Sequence, residues 1–187
     1  MNKIRIIIVS LFVISFLACN GYIYLKREDT NKSVIVRMNE EEKVITSIKL
    51  PFRFVVKNNT LKKMEFYKVY YEYGFRRKGA GIELYKDDKK ISNYDHKVIR
   101  SHKSLNYFIY SRHITDSTQF IQDQLKPYVN KMLELNQDTL HVGTVAEFKE
   151  RHPELFKMLT ENDTISIRHL KGRNSGLGER IAIPANW

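Results

Sequence analysis

The sequence predicts an α+β protein, with a β-rich, antiparallel, sandwich-like part over residues 33–112 and an α+β part over residues 113–187. The first part contains short stretches rich in Val, Ile, Phe and Tyr that are separated by turn residues, which is typical of closely spaced strands. In the second part, apolar residues recur at three- and four-residue intervals, which is typical of helices that bury one face. Eleven Tyr and ten Phe, with few Gly and Pro, indicate a folded chain rather than a disordered one.

Six or seven short strands are predicted in the first part. They cover residues 33–38, 44–49, 52–57, 64–73, 82–85, 89–92 and 105–111. Pro51 separates the second strand from the third, because proline cannot donate to a ladder and belongs at a strand start or edge. Asn58 and Asn59 tolerate positive φ, so residues 52–57 and 64–73 are predicted to form a hairpin around them. Residues 94–104 are polar and basic, and we expect a loop there.

Helices are predicted in the second part from their start and stop signals. Asp116, with a Gln three positions later, has the spacing of a capping box, and Pro127 is expected to kink or split the helix that follows. Thr144, with a Glu three positions later, is a second capping box, and Pro153 interrupts the next helix. Further short strands are predicted over residues 139–142, 164–170 and 180–183.

The beginning of the chain predicts where the protein works. Lys3 and Arg5 precede the twelve-residue apolar run Ile6–Leu17, and Ala18 follows it. An export signal consists of such a charged start, an apolar core of about 7–15 residues and a small residue at the cleavage position. The leader therefore predicts export from the cytoplasm.

The end of this leader, Phe16-Leu17-Ala18-Cys19, resembles the lipobox of bacterial lipoproteins, with Phe16 where Leu is most typical. The resemblance implies that residues 1–18 are removed as a signal peptide and that the sulfur of Cys19 carries a diacylglycerol. Lipoproteins carry three acyl chains on this cysteine, which implies durable attachment, since a single chain binds only marginally. Lipidation also accounts for a lone cysteine in an exported chain.

An uncleaved transmembrane helix is the competing interpretation of the same residues. Ile6–Leu25 is twenty residues long, about the length that a bilayer requires. Asn20 and Gly21 interrupt the run, and an unpaired Asn is costly in hydrocarbon. Positive charges lie on both sides of the run and give no clear direction of insertion.

These features predict the domain organisation. Residues 19–32 are expected to be a tether, followed by a globular region over residues 33–187, whose two parts either share a core or have one each. Removal of the leader leaves 169 residues, enough for one ordinary domain or two small ones. We expect the bacterial cell envelope as the location, on the outer side of a membrane that the sequence does not specify.

The chain is strongly basic, with a net charge of +11. Such charge attracts anionic lipid, acidic glycans or an acidic protein, and each exposed cation near a negative membrane is worth about 1 kcal/mol. The candidate anion-binding residues are Arg76, Arg77, Lys78, Arg100, Lys103 and Arg173. The expected partners are the membrane, through the lipid, and a protein or an anionic envelope polymer. Nucleic acid is disfavoured because an exported chain seldom meets it.

No catalytic motif is recognisable, and no cofactor or metal is expected. The six histidines include no pair with the helical spacing of a zinc peptidase. The glycine-rich stretch Gly172–Gly178 lacks the Gly-Lys-Ser/Thr ending of a phosphate-binding loop and the Gly-x-Ser-x-Gly of a hydrolase. The sequence therefore favours a non-enzymatic binding or interaction protein of the envelope. A single-pass membrane protein and a surface enzyme acting on glycan or lipid are the alternatives.

Overall fold

In the computed structural model, residues 22–74, 79–171, 175–185 and 187 are described. They form an α+β fold, as predicted, in which two antiparallel sheets curl into a half-barrel and three helices cover one end. The strands are β1 (Ile23–Glu28), β2 (Ile35–Asn39), β3 (Val44–Asn58), β4 (Met64–Glu72), β5 (Gly79–Lys86), β6 (Lys89–Ile91), β7 (Lys97–Ile99), β8 (Ser104–Ile114), β9 (Thr139–His141), β10 (Thr164–Lys171) and β11 (Ser175–Pro184). The helices are α1 (Gln119–Glu134), α2 (Val145–Arg151) and α3 (Pro153–Thr160).

Strand β3 organises the larger sheet, whose order is β6-β5-β8-β3-β2-β9 with β1 also paired to β3. One edge of β3 pairs with β8 along most of its length, and the other edge pairs first with β2 and then with β1. The smaller sheet has the order β11-β10-β4-β7. Its edge strand β11 contacts β1, and this contact brings the two sheets together at one side.

The two strands predicted on either side of Pro51 are one continuous strand. Pro51 lies opposite Tyr110 of β8. On its other edge, β3 changes partner at this point, after the pair Ile35–Lys49 of β2 and before the pair Glu28–Arg53 of β1. Proline is tolerated where a ladder is interrupted, so the strand continues through it.

The predicted hairpin between residues 52–57 and 64–73 is wrong, because the two segments lie in different sheets. Strand β4 pairs with β10 and with β7, and the connection after β3 carries the chain from the larger sheet to the smaller one. The partner β7 lies within residues 94–104, which were expected to form a loop. A turn-forming sequence between two strands therefore marks a change of sheet here.

The predicted tether over residues 19–32 is wrong where it includes β1. Every residue of β1 pairs with β3, from Ile23 opposite Asn58 to Glu28 opposite Arg53. Leu25 is 5% exposed and belongs to the apolar core. The folded sheet therefore begins four residues after Cys19.

The helix signals are confirmed in part. Helix α1 begins after Thr118, whose N–H and Oγ1 donate to the carboxylate of Asp116, so the predicted capping box at Asp116 is wrong. Pro127 lies inside α1 and does not split it. The capping box at Thr144 is confirmed, and Pro153 occupies the first turn of α3, where its missing N–H needs no partner.

Two apolar clusters form the core, and each contains residues from both parts of the sequence. One lies between the helices and the β2 end of the larger sheet, with Val36, Leu125 and Phe148 at its centre. The other lies between the sheets, where Phe66 of β4 and Ile167 of β10 pack. Residues 113–187 thus complete both sheets as well as supplying the helices.

A buried lysine holds the segment that precedes β7. Lys97 is 6% exposed, and its Nζ donates to the carbonyl oxygens of Tyr67 (2.6 Å), Asp95 (2.8 Å) and Asn93 (3.2 Å). The same Nζ lies 5.8 Å from the centre of the Phe66 ring. Burial lowers the pKa of Lys97, but the carbonyl oxygens around it replace much of the water that it loses.

Replacing this lysine should destabilise the fold. We expect Lys97→Met to lower the free energy of unfolding by about 2–3 kcal/mol, because it leaves buried carbonyl oxygens without a donor. Urea unfolding followed by circular dichroism measures the change. Lys126→Met, on the exposed side of α1, is the matched control and should stay within about 0.5 kcal/mol of the unaltered protein. Equal stability of the two variants would contradict this role of Lys97.

Candidate functional site

One buried asparagine joins two loops at the end of β3. The Nδ2 of Asn58 donates to the carbonyl oxygens of Lys62 (2.8 Å), Ile99 (3.2 Å) and Arg100 (3.2 Å). Its backbone N–H donates to the carbonyl oxygen of Lys103, at 3.0 Å. The loop from β3 to β4 and the loop from β7 to β8 are therefore fixed against each other.

The carbonyl oxygen of the same side-chain amide also accepts hydrogen bonds. Asn58 Oδ1 accepts from the N–H of Thr60 (3.0 Å) and from its hydroxyl (2.7 Å). The hydroxyl of Ser101, from the other loop, donates to the carbonyl oxygen of Thr60 at 2.9 Å. Asn58 has no solvent exposure, so these bonds replace its water completely.

The two loops and the end of β3 present a group of exposed cations, which we call the cationic end. It consists of Lys57, Lys62, Lys63, Arg100 and Lys103. Lys63 pairs with Glu65 at 2.5 Å. For the other four, no carboxylate among the described residues lies within 4.0 Å. Their positive charge is therefore available to an anionic partner.

Two of the predicted anion-binding residues, Arg100 and Lys103, come together at the cationic end. Arg76, Arg77, Lys78 and Arg173, like Cys19, lie outside the described residues. Lys57 was missed, although the apolar residues at the alternate positions Phe52, Phe54 and Val56 were a signal for it, since Lys57 must then lie on the opposite face of β3.

The chain enters the fold at this same end. The carbonyl oxygen of Tyr22 accepts from the N–H of Asn59 at 3.0 Å, and Tyr24 is paired with Lys57. Two large apolar side chains are exposed beside the cations, Tyr22 at 64% and Leu61 at 76%. Tyr22 is the third residue after Cys19, and three residues span at most about 11 Å when fully extended.

A serine, a histidine and an aspartate also come together, but in an arrangement that does not fit nucleophilic catalysis. Ser111 Oγ lies 3.0 Å from His113 Nε2, and the same Nε2 lies 3.9 Å from Asp163 Oδ2. A catalytic triad needs the serine and the carboxylate on opposite ring nitrogens. The three residues are also 0–2% exposed, which leaves no access for a substrate.

This cluster instead links the two sheets through buried hydrogen bonds. The carboxylate of Asp163, just before β10, accepts from the hydroxyl of Tyr71 (2.6 Å) and from the N–H of Gly74 (2.7 Å). Burial lowers the pKa of His113 to about 4 and raises the pKa of Asp163. His113 is therefore neutral at pH 7, and its role is to satisfy its neighbours in the core.

Within the described ranges, no three His, Cys, Asp or Glu residues are grouped so that they could hold a metal ion. None of the helices seen there has the length and apolar character needed to cross a membrane. Comparisons of this chain with protein-family models, with curated proteins and with solved structures find no match. The cationic end is thus the surface from which a function is best argued.

The buried histidine predicts a specific dependence of stability on pH. The pKa of His113 in the folded protein, about 4, is below its unfolded value of about 6.5. As the pH falls below about 6.5, the unfolded state takes up a proton first, so the folded state loses stability until about pH 4. Between about pH 7 and about pH 5 we expect a loss of about 2 kcal/mol from this group.

Urea unfolding at both pH values measures this loss. His113→Gln should remove it, even though the variant is less stable at every pH, because glutamine has no proton to gain. His141→Gln, at an exposed position on β9, should keep the dependence of the unaltered protein. If His113→Gln retained the full dependence, the histidine would not be buried in its neutral form.

Proposed function

We propose that this protein is a lipid-anchored, non-enzymatic binding protein of the bacterial cell envelope, and that its cationic end rests on an anionic membrane surface. The observation that carries the proposal is the entry of the chain into the fold at Tyr22, beside the cationic end and three residues after Cys19. A lipid on Cys19 would therefore keep these cations close to the lipid headgroups.

Distance and charge support this arrangement. Three residues span at most about 11 Å, which is close to the Debye length of about 8 Å at physiological ionic strength. Cations at such a distance still feel the negative surface, and each contributes about 1 kcal/mol of attraction. Of the five cations of the cationic end, only Lys63 is paired with a carboxylate among the described residues, so the attraction is not cancelled locally.

The exposed apolar side chains beside the cations fit the same surface. Tyr22 and Leu61 are 64% and 76% exposed. Tyrosine is favoured at the level of lipid headgroups, where its ring is in an apolar layer and its hydroxyl is in water. An apolar side chain surrounded by lysines can insert at that level while the cations remain among the phosphates.

The position of β1 favours a lipid over an uncleaved transmembrane helix. A membrane helix over Ile6–Leu25 would include the first three residues of β1, which pair with β3. Leu25 would have to leave the apolar core in which it is 5% exposed. Tyr22 is also held by the fold, because its carbonyl oxygen accepts from the N–H of Asn59. Without β1 and Tyr22 the run Ile6–Gly21 has sixteen residues, less than the roughly 17–25 that a spanning helix needs.

The anchor is tested on the amino terminus of the mature protein. Mass spectrometry should find Cys19 as the first residue, with its mass increased by a diacylglycerol and an acyl group. Cys19→Ala should lose metabolic labelling with a fatty acid, because no sulfur remains to carry the lipid. Asn20→Ala, which changes the next residue, is the control and should keep the label. An intact Met1 without fatty acid would overturn this part of the proposal.

The membrane contact is tested separately by the reactivity of individual lysines. The mature lipidated protein is reconstituted in vesicles of phosphatidylcholine alone or of phosphatidylcholine with phosphatidylglycerol, then acetylated and analysed by mass spectrometry. We expect Lys57, Lys62 and Lys103 to react several-fold more slowly in the anionic vesicles, since the net negative charge of phosphatidylglycerol holds them against the headgroups.

The controls for this experiment are built into the same sample. Lys126 on α1 should react equally in both vesicles, because it is exposed and lies outside the cationic end. Salt at about 1 M, where the Debye length is about 3 Å, should restore the reactivity of the three protected lysines. Equal reactivity of those lysines in both kinds of vesicle would contradict the proposed contact.

A further inference from the structure

A second surface with different chemistry lies on the outer face of the larger sheet. It is a cleft of about 230 Å³ between the β5–β6 turn, the middle of β8 and the segment that follows β1. Arg53 contributes to its wall and lies four residues from Lys57 along β3, and Asn106, which also lines it, lies three residues after Lys103. At about 3.4 Å per residue, the cleft is about 10–14 Å from the cationic end.

Aromatic rings form the floor of this cleft. Tyr85 of β5 is paired with Phe108 of β8, and their ring centres are 5.5 Å apart. Phe108 also contacts Tyr110 edge to face, at 4.8 Å between centres. Tyr85 and Phe108 are partly exposed, so their surfaces are accessible from the cleft.

The Tyr85 ring is held in place by polar contacts at its far end. Its hydroxyl lies 3.1 Å from Glu83 Oε2, to which it donates. The other oxygen of Glu83 pairs with Lys49 (3.1 Å) and with Lys90 (3.3 Å). An aromatic side chain that is already fixed loses little entropy when a ligand packs on it.

The rim of the cleft is polar, and its charges balance. Asn106 is exposed and offers both a hydrogen-bond donor and an acceptor. Asp88 pairs with Lys32 at 2.8 Å, and Asp87 and Arg53 supply one further charge of each sign, with Arg53 also paired to Glu28 outside the cleft at 3.3 Å. Two carboxylates against two cations give a formal charge of zero, in contrast to the cationic end.

We infer that this cleft binds one sugar unit of an uncharged saccharide chain. The C–H face of a sugar ring packs on aromatic rings such as those of Tyr85 and Phe108. Sugar hydroxyls both donate and accept, which matches the amide of Asn106 and the carboxylates at the rim. The balanced charge gives no attraction for a polyanion, and the volume is below the 300–1,000 Å³ typical of larger ligands.

Calorimetric titration tests this inference with defined probes, cellohexaose and the hexamer of N-acetylglucosamine. The full-length protein is kept in a detergent that has no sugar headgroup. At least one of the two probes should bind saturably. Tyr85→Ala, which removes part of the floor, and Asn106→Ala, which removes a rim amide, should each weaken that binding about tenfold or more.

Tyr94→Ala is the matched control, because this tyrosine is 73% exposed and does not line the cleft. It should bind the saccharide as the unaltered protein does. Asn106 is exposed, so its replacement leaves the fold intact even if Tyr85→Ala does not, and circular dichroism verifies this.

The inference is overturned if neither hexamer binds saturably, or if Asn106→Ala binds as tightly as the unaltered protein. It is also overturned if the saccharide is displaced by a sulfated polysaccharide in a salt-dependent way, since that result assigns the binding to cations. None of these outcomes depends on the lipid anchor or on vesicle contact.

Discussion

The hydrogen bonds of the Asn58 side chain are the interaction on which the arrangement of the cationic end depends. At this residue β3 ends, the chain leaves the larger sheet, and the loop before β8 returns to it. The side-chain amide binds three carbonyl oxygens and Thr60, and the backbone N–H binds the carbonyl oxygen of Lys103. Together these bonds fix the backbone that carries Lys62, Arg100 and Lys103. A buried amide without these partners would destabilise the fold, so the same bonds that satisfy it also position the cations.

Asn58 is one of several buried polar side chains that form hydrogen bonds with backbone groups at the ends of the strand ladders. Curled sheets leave carbonyl and N–H groups at their corners without strand partners, and these groups must be satisfied when water is excluded. Lys97 supplies donors to the carbonyl oxygens before β7, and Asp163 accepts the N–H of Gly74 beyond β4. His113 fills the space beside Asp163 in its neutral form. These side chains make the hydrogen bonds that a neighbouring strand would otherwise make. This role explains why they are buried and why they are not arranged for catalysis.

The sequence predicted most strands because alternation and composition are local properties. It did not predict their partners, because pairing joins residues distant in sequence: β4 pairs with β10, almost one hundred residues away. The Asn58 turn has the composition of a hairpin, and nothing local distinguishes a hairpin from a change of sheet. The Thr144 capping box, in contrast, depends on four consecutive residues and was predicted correctly.

At the candidate site too, the sequence predicts local features but not the contacts that distant residues make. Arg100 and Lys103 could be proposed from a local concentration of charge, but Lys97 belongs to the same run and is buried. Lys97 differs from Arg100 and Lys103 because carbonyl oxygens from β4 and from the segment before β7 surround its Nζ. Strand β1 was hidden for a related reason, since only Leu25 of its six residues is fully buried.

The cationic end and the cleft impose different requirements on their ligands. Four cations without a carboxylate nearby attract any anionic surface and discriminate little, which suits a lipid bilayer whose headgroups move. In the cleft, charges cancel and fixed rings select by shape, which suits a single ligand unit. Since the chain enters the fold at the cationic end, an anchor at Cys19 would place that end against the bilayer. The cleft, about 10–14 Å away along β3 and β8, would then lie farther from the bilayer than the cations do, on the side that envelope saccharides can reach.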